Sequence, residues 1–358
     1  MIIARSPLRI SFAGGGTDIP EFYRHYGPGV VVSTSIDKHV YVTLNRKFGG
    51  GVSVRYRVHE NRDTVEQIEH KLIRKCLSNY GIKDGVELVI ISDVPASGSG
   101  LGASSALACA LVAALDRFEV GGQRTKEFIA GKAAHIEISE VGSPIGKQDH
   151  YASAFGGLNM FRFDADGYVN VERFESKEFV NEIESQSMLF YLDIQHTYVR
   201  TFTDDRTGKE FSKEVPDSSF VPKILHDQIR TIEQKRRVHE LQRDNALNLW
   251  EHMRYEVPER FIDHVNENWR LKRTVHDDIS SEKIDSIIQR AYASGATAAK
   301  VCGAGGGGFV YFVVPRSMQD EVRSELSELK ELRFRFDNQG TQVIFDDTGT
   351  EAVLEAVR

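Results

Sequence analysis

Three glycine-rich segments, at residues 14–16, 98–102 and 303–308, have the residue types and spacing to hold a polyanion. The middle one reads Pro95-Ala-Ser-Gly98-Ser99-Gly100-Leu101-Gly102-Ala103-Ser104-Ser105. It lies between a strand-like run, Val86–Ser92, and a small-residue helical run, Ser104–Arg117. Its backbone N–H groups therefore gather at a helix N-terminus, where unpaired donors and the helix dipole favour phosphate. Ser104 and Ser105 add hydroxyls for a phosphate or a metal. In the first segment, Gly14-Gly15-Gly16-Thr17-Asp18, bare backbone can approach a ligand that a Cβ would exclude. The alternative there is a tight turn whose Asp18 caps the next helix. The third segment, Lys300-Val-Cys-Gly303-Ala-Gly305-Gly306-Gly-Gly308, is an ordinary turn by itself. Taken together, three bare stretches suit one polyanionic ligand contacted from several sides.

The middle segment also satisfies the dinucleotide pattern GxGxxG/A, with Asp116 and Glu119 downstream. Three features count against that reading. The glycines follow Pro95-Ala-Ser instead of closing the strand directly. Asp116 and Glu119 end a helix, with no strand to present them. The other two glycine segments would be left unexplained. No Walker sequence GxxxxGK[ST] occurs; Gly208-Lys209 runs into Glu210.

Carboxylates supply the second half of the chemistry. In His135-Ile-Glu137-Ile-Ser-Glu140-Val-Gly-Ser-Pro-Ile-Gly146-Lys147-Gln148-Asp149, Glu137 belongs to a helix and Asp149 follows a Gly/Pro break. The chain can fold back there and bring both acids to one site. Phosphoryl transfer needs a metal ligand and a group to orient or deprotonate the acceptor hydroxyl, roles open to Glu137 and Asp149. The competing reading makes Glu137 and Glu140 solvated helix residues paired with Lys132 or Lys147. His135 reads as a packing residue.

The elements that must position these groups follow from periodicity. Ile2–Ala13, Val30–Leu44 and Val52–Val58 read as strands, the last antiparallel with one wet face. Thr64–Tyr80 reads as a helix, as does Thr125–Val141, stopped by Gly142-Ser143-Pro144. Met188–Ile194 reads as a strand, Asp204–Asp217 as a charged surface loop, and 221–294 as mostly helical. A strand (Phe309–Val314), a helix (Gln319–Lys330) and a strand (Gln342–Phe345) finish the chain. The class expected is α+β with mixed sheets, in two domains, 1–185 and 186–358.

Composition excludes little but points one way. Of 358 residues, 41% are apolar and 27% charged, as in a globular protein, and the net charge of -7 disfavours nucleic acid and anionic membranes. Cys76, Cys109 and Cys302 form no CxxC pair, which suits a reducing cytoplasm. Met1–Arg9 reads as a strand without the apolar core of a signal peptide.

Pro-x-Arg…Gly-Gly-Gly-Thr-Asp, then Pro-x4-Gly-Leu-Gly-x-Ser-Ser-Ala, then Gly-Ala-Gly-Gly-Gly-Gly, in that order and spacing, resembles the GHMP kinases over nearly the whole chain. Three segments are similar to the family's sugar-1-kinases acting on D-glycero-D-manno-heptose 7-phosphate: Arg-x-Pro-Leu-Arg-Ile-Ser-Phe-Ala-Gly-Gly-Gly-Thr-Asp, Gly-Lys-Gln-Asp-x-Tyr-Ala-x-Ala-Phe-Gly-Gly-Leu-Asn and Trp-x-Leu-Lys. The resemblance implies a ribosomal-protein-S5-like N-terminal ATP-binding domain, a ferredoxin-like C-terminal domain and a site between them.

It also implies roles. Pro95 and Gly98–Ser105 would bind ATP, and Ser104 with Glu137 would hold Mg²⁺, Ser105 being the alternative. Asp149 would face the acceptor hydroxyl, and Arg9 would pair with it. A carboxylate beside an arginine is a weak base, so Asp149 is expected to orient the hydroxyl and take its proton late. Asp18, with Gly16 and Thr17, would bind sugar hydroxyls, and Gly305 and Gly306 would also stand against the substrate. Lys272, Arg273 and Arg24 are candidates for a sugar phosphate. After Ile194 the chain reads Gln-His-Thr-Tyr-Val-Arg, where relatives often carry a Gly-x-x-Arg turn. Other acceptors (galactose, fucose, an amino sugar) and a catalytically silent sugar sensor are the alternatives.

Overall fold

Pro7 has no N–H to give a neighbour, yet the apolar residues on either side keep Ile2–Ala13 extended as strand β1. In the computed structural model, which describes residues 1–95, 98–122, 124–194, 197–203, 210–216 and 220–347, β1 pairs antiparallel with β2 (Gly29–Arg46). The register slips between Pro7 and Leu8, where the missing donor interrupts the ladder. Helix α1 (Pro20–Tyr23) is a single turn between the two strands. The hairpin β3 (Val52–Arg55) and β4 (His59–Arg62) follows, then α2 (Lys71–Asn79) and β5 (Val86–Ser92). Next come α3 (Ala103–Glu119), α4 (Lys126–Ala134), a π-helical turn at His135–Glu140, and α5 (Gln148–Phe155). The hairpin β6 (Leu158–Phe163) and β7 (Val169–Arg173) precedes α6 (Lys177–Gln186).

At 18 residues β2 is long enough to serve two partners on its far edge. Its residues 40–46 pair with β5 and its residues 29–34 with β6, so one strand bridges both branches of an eight-stranded sheet. Helix α3 is buried almost all round, which is why its run of alanines shows no polar face. It packs on β1 and β2 to one side and on α4 and α5 to the other.

The remaining chain adds β8 (Ser187–Tyr191), the ribbon β9 (Thr197–Thr203) and β10 (Glu210–Pro216), then α7 (Phe220–Arg230), α8 (Arg236–Arg254), α9 (Pro258–Arg273) and α10 (Glu282–Ala293). Strands β11 (Ala298–Val301) and β12 (Phe309–Val313), helix α11 (Gln319–Glu325), β13 (Lys330–Glu331) and β14 (Gln342–Asp346) complete it. The second sheet runs β11-β12-β8-β13, wholly antiparallel. Val310 and Phe312 of β12 join a core with Ile284, Ile287 and Ile288 of α10. Tyr311 and Val313, on the other face, meet Ile10 and Phe12 of β1. Phe12 stands edge-on to Phe261 of α9 at 4.9 Å, an aromatic contact worth about 0.5–1.5 kcal/mol beyond its buried area. The seam beneath the cleft is therefore apolar and closed. The chain then returns to the first sheet, where β14 pairs antiparallel with β1.

The mixed helix-and-sheet class agrees with the sequence, but four elements differ from their expected form. The strand read at Val52–Val58 stops at Arg55 and runs parallel to β5, with an antiparallel partner only in β4. The helix read at Thr64–Tyr80 begins only at Lys71, after a 3-10 turn at Val65–Gln67. Glu60 explains the delay, because its carboxylate accepts from the Glu69 and His70 N–H groups at 2.7 and 3.4 Å and satisfies donors at the helix entrance. The segment read as a charged loop at Asp204–Asp217 contains β10, paired residue for residue with β9. The last helix ends at Glu325 rather than Lys330, which already belongs to β13. Residues 204–209 and Asp217, together with Gln195 and His196 of the departing turn, lie outside the described residues. No helix among the described residues is long and apolar enough to cross a membrane.

Candidate active site

A cleft of about 230 Å³ opens over the seam, and its floor carries an ion pair. Arg9 comes from β1 and Asp149 from the first turn of α5. The guanidinium donates from Nε to Asp149 Oδ1 and from Nη2 to Oδ2, both at 2.7 Å. Its third arm, Nη1, donates to Gly100 O at 2.6 Å, and the Arg9 main-chain N–H donates to Leu101 O at 3.0 Å. One arginine thus ties the glycine loop to the carboxylate, using the planar fork that lysine lacks. The Arg9 side chain is 5% exposed and that of Asp149 is 19%, so the carboxylate is the partner a ligand can reach.

Gly102 lets this happen. It has φ +77°, just before α3, and a Cβ there would sit 3.2 Å from Asp149 Oδ2 and 3.3 Å from Arg9 Cγ. Gly102→Ala is therefore expected to cost about 1–2 kcal/mol from the left-handed backbone alone, read as a lowered urea midpoint. The third glycine segment answers to the second in the same way. A Cβ on Gly303 would come within 2.5 Å of the Gly100 Cα, and Phe309 N donates to Ser99 O at 3.0 Å. Backbone packing on backbone is what several of these glycines serve.

Glu137 sits in the π-helical turn, an insertion that occurs frequently at functional sites. Its Oε2 accepts from Ser105 Oγ at 3.0 Å and stands 2.7 Å from His150 Nε2. Burial pushes the Glu137 carboxyl up, but the His150 ring and the hydroxyls of Ser104 and Ser105 outweigh it, and the group lies below its ordinary 4.5. The alternative pairing with lysine is not what forms. Lys132 lies over the Tyr80 ring, and Lys147 donates to Gly167 O at 2.8 Å. Ser104 is exposed and lines the cleft, whereas Ser105 is wholly buried against Glu137. His135, expected to pack, is instead an exposed ring 3.6 Å from Glu140, because the π turn rotates it outward.

Asp18 is buried and also lines the cleft, but most of its oxygen capacity is already used. Oδ1 accepts from Gly16 N at 3.1 Å and from Gln148 Nε2 at 3.0 Å, and Oδ2 accepts from Gln148 N at 3.0 Å. It thus holds the entrance of α5, not the helix that follows it in sequence, and burial raises its pKa despite these bonds. Thr17 is buried away from the cleft, its hydroxyl bonded to Gly14 O at 2.8 Å and Val30 O at 3.1 Å. Asn268 of α9 accepts from Gly14 N at 3.0 Å, a clamp on the glycine turn that nothing in the local sequence announced.

Of the cations, Lys272 enters the cleft and Arg273 does not. Lys272 Nζ donates to Gly303 O and, at 3.4 Å, to Val301 O. Arg273, one residue on, turns outward to Asp285 at 2.7 Å. Arg24 is exposed outside the cleft wall. Lys300 was missed, though it opens the third glycine segment; its Nζ donates to Ser11 O and, at 3.1 Å, to Phe12 O. Burial draws Lys272 down to about 8 and Lys300 to about 7, the second helped by the charge of the first. Lys300, buried, and Lys272, half-buried, have no carboxylate ion-pair partner among the described residues, which makes this wall receptive to an anion that would restore their protons. Gly305 lines the cleft, whereas Gly306 is turned to Ile279, donating to its carbonyl at 2.9 Å. Gly98, Ser99, Gly100, Gly102 and Ala103 line the cleft too, while Pro95 is exposed and Leu101 is buried in the seam.

Known proteins resemble this chain in sequence and in fold. Residues 66–157 match the GHMP kinases N terminal domain and residues 253–331 the GHMP kinases C terminal domain. A D-glycero-alpha-D-manno-heptose 7-phosphate kinase from Campylobacter jejuni is 27% identical over 326 residues, covering 87% of this chain and 89% of that one. Among solved structures, a D-glycero-D-manno-heptose 1-phosphate kinase from Bacteroides thetaiotaomicron superposes with a TM-score of 0.72 at 21% identity, covering 97% of this chain and all of that one (100%). Lactococcus lactis galactokinase complexed with galactose gives 0.69 at 14% identity, over 95% of this chain and 94% of that one. At these identities the structural likeness concerns the fold.

Proposed function

From the premise that the chain belongs to the GHMP kinases and is an ATP-dependent phosphotransferase, we propose that its acceptor is D-glycero-D-manno-heptose 7-phosphate, phosphorylated on the anomeric hydroxyl to the 1,7-bisphosphate. The observation that carries this reading is the bidentate Arg9–Asp149 pair, with its carboxylate open to a cleft that Lys272 and Lys300 also line. The relative at 27% identity, a heptose 7-phosphate kinase, supports the choice of sugar.

In this reading the backbone of 98–105 and the N-terminus of α3 bind the ATP phosphates. Asp149 faces the acceptor hydroxyl, with Arg9 holding its orientation and compensating negative charge as the phosphoryl group moves. Lys272 and Lys300 neutralise phosphate on the same wall. Glu137 and Ser104 would hold Mg²⁺. Their oxygen donors suit a hard ion, and one carboxylate is enough where phosphates and water complete the shell. The ion would draw charge from the phosphate oxygens. A domain boundary near 185 and a cytoplasmic location, in keeping with three buried free cysteines, belong to the same proposal.

The test is ADP release with MgATP over heptose 7-phosphate, galactose, fucose and an amino sugar. Heptose 7-phosphate is expected to exceed the others by about a hundredfold or more in kcat/KM, since unpaired buried polar groups penalise the wrong sugar. Turnover of galactose without heptose 7-phosphate would move the acceptor within the family. No turnover of any sugar by folded protein would leave a silent sensor.

A further inference from the structure

Buried polar atoms without partners cost roughly 1–3 kcal/mol each, so their clustering in one place asks for a ligand. Four such atoms belong to residues that line the cleft: Gln148 Oε1, Gln242 Oε1 and both ring nitrogens of His239, whose ring feels the neighbouring Gln242 side chain without reaching hydrogen-bonding geometry with it. His239 and Gln242 are each 1% exposed. They stand three residues apart on α8 and so share one helix face. Their wall meets the first glycine turn directly. A Cβ on Gly16 would lie 3.2 Å from His239 Cε1, and one on the neighbouring Gly15 would lie 3.5 Å from Gln148 Nε2. Gln148 and His239 therefore address adjacent residues of the same turn.

We propose that Gln148, His239 and Gln242 form a subsite that recognises hydroxyl groups of the acceptor and sets which sugar the enzyme takes. The proposal rests on the sugar-kinase reading and extends it to residues not yet given a role. The donor–acceptor inventory selects the ligand. Gln148 gives its amide N–H to Asp18 at 3.0 Å, which leaves Oε1 as a pure acceptor aimed away from that bond. Gln242 Oε1 is a second acceptor. A phosphate oxygen brings only acceptors and would be repelled by both, whereas a hydroxyl can donate to either. Burial draws His239 down to about 4, so its ring is neutral at ordinary pH and offers one donor and one acceptor. A neutral ring with two amide oxygens suits a polyol, and the cationic wall of Lys272 and Lys300 suits the anionic end of the same ligand. His239 and Gln242 lie between the two matched family segments, 66–157 and 253–331.

Gln242→Met keeps the side-chain length and removes the amide. Steady-state kinetics with heptose 7-phosphate as the probe should show its KM raised about tenfold or more, with KM for ATP and kcat changed by less than about twofold. The ligand-free protein should melt at the same temperature or higher, because an unpaired buried oxygen has been removed. His239→Asn provides a second variant with the same expected split. An unchanged sugar KM in both variants, with wild-type turnover intact, overturns the subsite and leaves the kinase reading standing. A lowered melting temperature with both KM values raised alike shows a structural role and also overturns it. Wild-type protein that turns over no sugar removes the sugar-kinase reading, and the subsite falls with it.

Discussion

Replacing Asp149 by Asn is expected to lower turnover by roughly three to four orders of magnitude while ATP binding stays within a few-fold of wild type. The carboxylate takes two of the three hydrogen-bonding arms of Arg9 and is the pair's solvent-facing half. An amide of the same shape can accept one of those bonds but presents an N–H to the other, so the orientation is lost along with the charge. The glycine loop should survive, because Arg9 holds Gly100 O through Nη1 and Leu101 O through its main chain. Stability should fall by about 1.5–3 kcal/mol, the range for a hydrogen bond to a charged group. Single-turnover kinetics beside nucleotide titration by calorimetry separates the two effects. An Asn variant retaining kcat within tenfold would remove Asp149 from the reaction.

Glu137→Gln should raise the Mg²⁺ concentration for half-maximal rate by roughly ten- to a hundredfold and lower kcat at saturating metal. The fold should tolerate it, since an amide oxygen can still accept from Ser105 and His150. Its stability should change with pH in a defined direction. The folded Glu137 carboxyl lies below its ordinary 4.5, so it adds stability above that value and loses it as pH falls through the folded value. Wild-type protein should therefore show an acid-side loss of unfolding free energy below about pH 4.5 that is smaller in the Gln variant. Urea titrations at pH 7 and pH 4 read this without any activity measurement. Equal Mg²⁺ dependence in the two proteins would take Glu137 out of the metal site.

How much of this was legible beforehand depended on the range of the interaction. Val86–Ser92 was read to the residue, and β1 likewise, because apolar runs bounded by turn residues are a local signal. The delayed start of α2 was not legible, because the cap is supplied by Glu60 from a neighbouring strand. The same limit governs the site. Arg9 and Asp149 could be named from their motifs, yet Lys272 and Arg273, adjacent and chemically alike, could not be told apart. Only the rotation of α9 sends one into the cleft and the other to Asp285.

By itself, the amino-acid sequence determined the class of fold, the three glycine turns and the acids that accompany them, since these follow from periodicity and from what a missing Cβ allows. The tertiary structure alone decided what each turn faces. It seated Gly303 on Gly100, placed His150 behind Glu137, committed Asp18 to the entrance of α5 and brought Gln148, His239 and Gln242 to the same cleft. Those contacts join residues from 13 to more than 200 positions apart. Local propensity carries no record of them, and the packing of the seam does.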